Sequence, residues 1–167
     1  ELINLFINHK DRINKRGQAT FFWQAQNVLK NEKKNKKAID FGFPIENHSY
    51  THANLAKLGT EQRKYQVITS NDVITKVARK FDPNYKVQYF RCPYGSCYSP
   101  KIPEVREMIA KQGQLHAYWM IDSLDWKLME KNQISQLVID QMKLKKRGVV
   151  LMHDVHVPTV EATKIVL

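Results

Sequence analysis

The chain has 167 residues, 43% hydrophobic and 10% aromatic, which suits one soluble globular domain and excludes a low-complexity or fibrous protein. No apolar run approaches membrane-spanning length. The net charge of +11, from 27 Lys and Arg against 16 Asp and Glu, would suit a polyanionic partner, but much of the excess sits in KNEKKNKKAID (30–40), read as a solvated loop without the aromatic interleaving of a nucleic-acid platform.

Residues 1–15 place Leu2, Ile3, Leu5, Phe6 and Ile13 at helical spacing, with Gly17 as the stop. QATFFW (18–23) reads as a buried strand, 25–33 as a helix, and AIDFGFPIE (38–46) as the next strand. Between Thr60 and Phe81, Val67, Ile74, Val77 and Phe81 share a helical face that ends at Asp82-Pro83-Asn84. Strand KVQYF (86–90), loop RCPYGSCYSP (91–100), helix PEVREMIAKQG (103–113) and strand QLHAYWMID (114–122) follow. Helix ISQLVIDQMKL (134–144), strand GVVLMHD (148–154) and a last helix complete the series. Strands alternating with helices predict a single α/β domain over 1–167 with a mainly parallel sheet, either a barrel or an open doubly wound sheet.

The chemically interesting residues share one kind of address. His48, Arg91, Asp122 with Asp125, and His153 with Asp154 lie at or just beyond the C-terminal ends of successive predicted strands, the edge where parallel α/β folds build active sites. His48 and His52, four apart in ENHSYTH, suit a shared metal, a helix cap or a surface position, and the hydroxyls of Ser49 and Thr51 can shape their loop. Cys92 and Cys97 can close a short disulfide, but their spacing fits neither a redox C-x-x-C nor a zinc knuckle. Adding both thiolates to His48 and His52 as a closed zinc site would fill the coordination position that hydrolysis needs open. His156 could approach the pocket, whereas His9 and His116 are read as structural or solvent-facing.

NHSYTH, RCPYG, DSLDW and LMHD, in this order at consecutive strand ends, resemble the polysaccharide deacetylase family, also called the NodB-homology or carbohydrate esterase family four domain. Its patterns there are H-[ST]-x-x-H, R-x-P-[YF]-G, D-x-x-D-W and L-x-H, and ATFFW resembles its second strand. The resemblance covers nearly the whole chain. It implies removal of acetyl groups from a polysaccharide on a distorted (β/α) barrel of about seven strands. It also implies that His48 and His52 hold a divalent metal, zinc by default with cobalt or nickel as alternatives.

The remaining roles follow from the chemistry. Hydrolysis of an acetamide needs a nucleophilic water, a sink for the oxyanion and an acid for the leaving amine; a metal covers the first two, and the Tyr94 backbone N–H can add to the second. His153 has the chemistry for the acid, since an imidazole titrates near working pH, and Asp125 is the expected carboxylate partner. Trp126 and Leu151 would wall an acetyl-sized pocket, with simple core packing as the alternative. For Asp122 the alternative by position is a turn cap.

The family opens with T-F-D-D-G, holding its base and a third metal ligand, and residues 1–18 contain no counterpart. The chain is therefore expected to be an N-terminally truncated domain lacking its first strand, incomplete at the C-terminus too, and inactive alone. Arg91 is expected to orient the base. The substrate expected is an acetylated polymer of N-acetylglucosamine such as peptidoglycan, chitin or a biofilm glycan, met at the cell envelope or outside it, with neither nucleic acid nor a membrane span involved. The alternative is a glycan-binding relative without catalysis.

Overall fold

In a computed structural model, which describes residues 1–10, 16–98, 102–128 and 130–167, the short apolar runs become short strands. In chain order the elements are α1 (Leu2–Asn8), β1 (Phe21–Trp23), α2 (Ala25–Lys30), α3 (Glu32–Asp40), β2 (Ile45–Asn47), α4 (Thr60–Lys64) and α5 (Ser70–Ala78). There follow β3 (Tyr89–Phe90), α6 (Pro103–Lys111), β4 (Leu115–His116), β5 (Ile121–Asp122), α7 (Lys131–Lys145), β6 (Val150–Leu151) and α8 (Val157–Val166). A single π-helical turn, Tyr65–Thr69, joins α4 to α5. The class is α/β with parallel strands, as the alternation predicts.

The chain divides into two compact units, Ala19–Ala117, and Glu1–Gln18 with Tyr118–Leu167. The first holds a four-stranded parallel sheet in the order β1-β2-β3-β4, in which Trp23, Asn47 and Phe90 align across three strands. Phe21, Phe43, Ile45, Ile74 and Phe90 are buried in it, and the Phe21 and Phe43 rings meet edge to face. Burying such side chains is the main driving force for the fold, at about 1.5–3 kcal/mol each. The second unit pairs β5 with β6 in parallel and packs α7 on α8 through Ile134, Val138 and Ala162, all fully buried.

Several boundaries depart from the sequence reading. The first helix stops at Asn8 because His9 turns extended (ψ 131°), and residues 11–15, including Ile13, lie outside the described residues. The helix expected over 25–33 ends at Lys30, where Asn31 leaves helical geometry, and the lysine block expected as a loop is instead α3. Lys and Glu are good helix formers, and two small residues give this stretch a buried edge: Ala38 is fully enclosed and the Asn35 amide donates to the Val28 carbonyl (2.6 Å). That helix consumes the first part of the expected strand 38–46, leaving Ile45–Asn47. QLHAYWMID does not form one strand: it breaks after His116, and its two ends join different sheets.

Glu46 sits in the middle of β2, 2% exposed, and its Oε2 accepts the backbone N–H groups of Gln88 (2.8 Å) and Tyr89 (2.7 Å). Burial raises its carboxyl to about 7 against the opposing pull of those two hydrogen bonds. A folded-state value raised above the unfolded one contributes stability that is full below the unfolded range and is lost as pH rises toward 7. Glu46→Gln keeps one oxygen for both N–H donors and carries no charge. It is expected to abolish this slope and to gain on the order of 3 kcal/mol at pH 8 relative to the parent, read by urea unfolding between pH 4.5 and 8. Parallel pH profiles for the two proteins would refute the assignment.

Candidate active site

In the unit Ala19–Ala117 the sheet delivers two polar side chains to one edge. The hydrogen-bond ladder runs one residue past each strand, His48 N–H donating to the Trp23 carbonyl (3.2 Å) and Arg91 N–H to that of Asn47 (2.9 Å). His48 Nδ1 lies 2.6 Å from the Arg91 carbonyl, which can only accept, so Nδ1 carries the hydrogen and Nε2 keeps its lone pair. That lone pair is met at 2.9 Å by the Arg91 guanidinium, a positively charged donor, which also lies over the Phe22 ring. His48 is 4% exposed.

The loop after β2 then turns so that His52 faces His48, ring centroids 4.7 Å apart and nearly perpendicular. Two residues without glycine's freedom, Ser49 (φ 65°) and His52 (φ 67°), take left-handed backbone to do this, at about 1–2 kcal/mol each. Side chains hold the turn. Asn47 Oδ1 accepts from Ser49 N–H (3.0 Å), Ser49 Oγ accepts from His52 N–H (3.0 Å), and Gln66 Oε1 accepts from Tyr50 N–H (3.1 Å) and Thr51 N–H (3.0 Å). Ser49 shapes the loop as expected, while Gln66 and Asn47 escaped the sequence reading. The available signal was polarity on buried faces: Ser70, fully enclosed among the apolar positions of α5, donates to Asn47 Oδ1 (2.8 Å).

Two imidazoles on one turn, one with its tautomer fixed by a carbonyl, fit two ligand positions of a divalent cation once Arg91 gives up its hydrogen bond to His48 Nε2. Among the described residues no carboxylate completes a three-ligand group with them; the grouping of that kind is Cys92, Cys97 and His116. Those thiols are joined in a disulfide (Cα–Cα 5.9 Å), so they are not thiolate ligands, and the closed site with His48 and His52 does not form. The disulfide brackets Tyr94 and Gly95, both with positive φ, and the 70%-exposed Tyr94 lays its ring against His52 (centroids 4.8 Å). His116 is half-buried, and burial followed by the Arg106 charge lowers its pKa.

In the other unit, β5 and β6 deliver an acid–imidazole pair. Asp125 is fully buried, and its carboxylate accepts His153 Nδ1–H (2.7 Å), His153 backbone N–H (2.6 Å) and the Thr159 hydroxyl (2.9 Å). Burial acts to raise this carboxyl, but the hydrogen bonds and charge of His153, with Thr159, outweigh it and hold the group below the usual carboxylate range. His153, its side chain 25% exposed, is thereby oriented with Nε2 turned away from the carboxylate. Thr159 was not foreseen; it projects from the first turn of α8. A depressed folded-state value gives stability present above the unfolded value and lost as pH falls through the folded one. Asp125→Asn is therefore expected to flatten the loss of stability below about pH 4, measured by thermal melts from pH 2 to 6.

Other predicted residues fall as follows. Asp122 accepts from Trp119 Nε1 (3.0 Å) and Leu124 N–H (2.9 Å), capping the turn that leads to Asp125. Trp126 is 58% exposed, and Leu151 is buried in β6. His156 is the N-cap residue of α8, and His9 closes α1.

Three comparisons bear on this arrangement. The sequence pattern of the family described as Polysaccharide deacetylase matches residues 14–113. The chain is 28% identical over 122 residues to a peptidoglycan-N-acetylglucosamine deacetylase of Bacillus cereus, covering 73% of the chain and 41% of that protein. The backbone matches a mutant of a CE4 family pseudoenzyme with restored enzymatic activity, TM-score 0.80 at 26% identity, over 99% of the chain and 54% of the other. It also matches a family 4 carbohydrate esterase from Streptomyces lividans in complex with acetate, TM-score 0.77 at 26% identity, over 99% and 77%. The chain thus spans about two fifths of the curated relative and about half of the pseudoenzyme.

Proposed function

Because the chain belongs to the polysaccharide deacetylase family, we propose that it is part of a hydrolase that removes acetyl groups from a polysaccharide, with N-acetylglucosamine units of a cell-wall glycan as the substrate. The observation that carries this reading is the buried Asp125 carboxylate holding His153 Nδ1 and backbone N–H together. With Nδ1 engaged, Nε2 is the nitrogen left to pass a proton to the departing sugar amine. Asp125 favours the charged ring that precedes the transfer, and Thr159 keeps the carboxylate from rotating.

His48 and His52 would be two ligands of a divalent cation, zinc by preference, which when bound would polarise the acetyl carbonyl and acidify a water. The tautomer of His48 leaves its lone pair on Nε2, and a cation would take that lone pair in place of the Arg91 guanidinium that now donates to it. Tyr94 is assigned to the oxyanion through its backbone N–H, and Trp126 and Leu151 to the acetyl group and the sugar face. The disulfide agrees with an oxidising location at or outside the cell envelope.

The test is acetate release from N-acetylated chito-oligosaccharides and from peptidoglycan by the whole hydrolase of which this chain is proposed to be part, chelated and then resupplied with Zn²⁺ or Co²⁺. Metal-restored release supports the reading, and its absence with both metals sinks it. A second reading, glycan binding without turnover, is favoured by the likeness to a pseudoenzyme. Saturable binding of the same oligosaccharides without acetate release would establish it.

A further inference from the structure

The loop that carries His48 and His52 is strained at two residues, so something outside it must fix its shape. Resting on the metal reading of those histidines, we propose that Gln66, presented by the π-helical turn, is the positioning residue that sets the histidine pair for the cation. One residue inserted into the helix at Tyr65–Thr69 rotates the following side chains by about 100° relative to an unbroken α-helix. Gln66, within that turn, is 6% exposed and hydrogen-bonded to the loop.

Its amide is used at both ends. A single oxygen accepts the consecutive backbone N–H groups of Tyr50 and Thr51, at 3.1 and 3.0 Å, and Nε2 donates to the Thr51 hydroxyl (2.9 Å). Tyr50 and Thr51 lie between the two left-handed residues Ser49 and His52. Binding two successive N–H groups to one fixed oxygen dictates the direction of the peptides that separate the imidazoles. Asn47 anchors the other end, its Nδ2 donating to the Val67 carbonyl of the same π turn (3.2 Å). The helix irregularity therefore grips the loop at both ends, although no atom of Gln66 is offered as a ligand.

Zn²⁺ and Co²⁺ affinity of the purified chain, measured by calorimetry and by the Co²⁺ visible spectrum well below the melting temperature, tests this. Gln66→Met keeps length and volume but removes the acceptor and the donor, and is expected to weaken metal binding by about 10–100-fold. Gln66→Glu should restore affinity to near the parent's, since a carboxylate accepts both N–H groups and the Thr51 hydroxyl can turn to donate. Should Gln66→Met not fold, the exposed Thr51→Val carries the test, with a loss of about five-fold expected from one hydrogen bond. A lower melting temperature with unchanged metal affinity would show a merely structural role and overturn the assignment alone. Unchanged affinity in both His48→Ala and His52→Ala would instead overturn the metal reading, and this inference with it.

Discussion

In the whole hydrolase of which this chain is proposed to be part, His153→Ala is expected to lower kcat for acetate release by about 10²–10⁴-fold with KM little changed, the loss typical of a positioned general acid. The expectation rests on how completely the fold commits to this ring. Asp125, with no exposed surface, spends both carboxylate oxygens on His153 and Thr159, a poor use of a buried charge unless the imidazole must be held in one orientation and stabilised when protonated. Asp125→Asn should cost less than the alanine variant, because an amide still accepts the ring N–H but no longer favours its positive form. The double variant should be hardly worse than His153→Ala, since the pair acts as a unit. Steady-state kinetics of the three variants decide the matter. A kcat within a few-fold of the parent for His153→Ala would remove this residue from the mechanism.

Phe90→Ala is expected to cost about 3–5 kcal/mol of folding free energy, the largest loss from a single core truncation in the unit Ala19–Ala117. Phe90 is fully buried at the C-terminal end of β3, packed with Leu55, Val67, Ile102, Val105 and Ile109, and β3 is bonded on both sides. The surrounding sheet and disulfide restrict collapse into the space left behind, which places the cost at the upper part of the range. Because Arg91 follows directly and its carbonyl fixes the His48 tautomer, the variant should also weaken metal binding by the folded fraction. Phe90→Leu, leaving a smaller void, should lose much less in both respects. Urea unfolding at fixed pH is the measurement, and a midpoint shift for the alanine variant no larger than that for leucine would contradict the packing argument.

Which residues stand at strand ends was legible without coordinates. A short apolar run followed by a histidine, arginine or aspartate is a local signal, and the parallel ladder preserves it, carrying His48 and Arg91 one residue beyond their strands and Asp125 and His153 just past theirs. The helix from Thr60 was legible for the same reason, since Val67, Ile74 and Val77 repeat at helical spacing and are buried. The lysine block reads as a loop from its charge, but Lys and Glu form helices readily, and the inconspicuous buried Asn35 and Ala38 decide for α3. QLHAYWMID looked continuous because β propensity persists through it, and only the competing partners of its two ends divide it.

By itself, then, the sequence determined the α/β class, the family, and the chemical groups brought to the strand ends, because these depend on residue type and near-neighbour periodicity. Tertiary structure alone decided which polar atoms meet: the Nδ1 contacts that choose the tautomer of His48 and orient His153, the closure of Thr159 on Asp125, and the reach of Gln66 from a π turn to the histidine loop. Those partners are separated in the chain by between 15 and 43 residues. Hydrogen bonds are satisfied by proximity in space, which no spacing along the chain encodes.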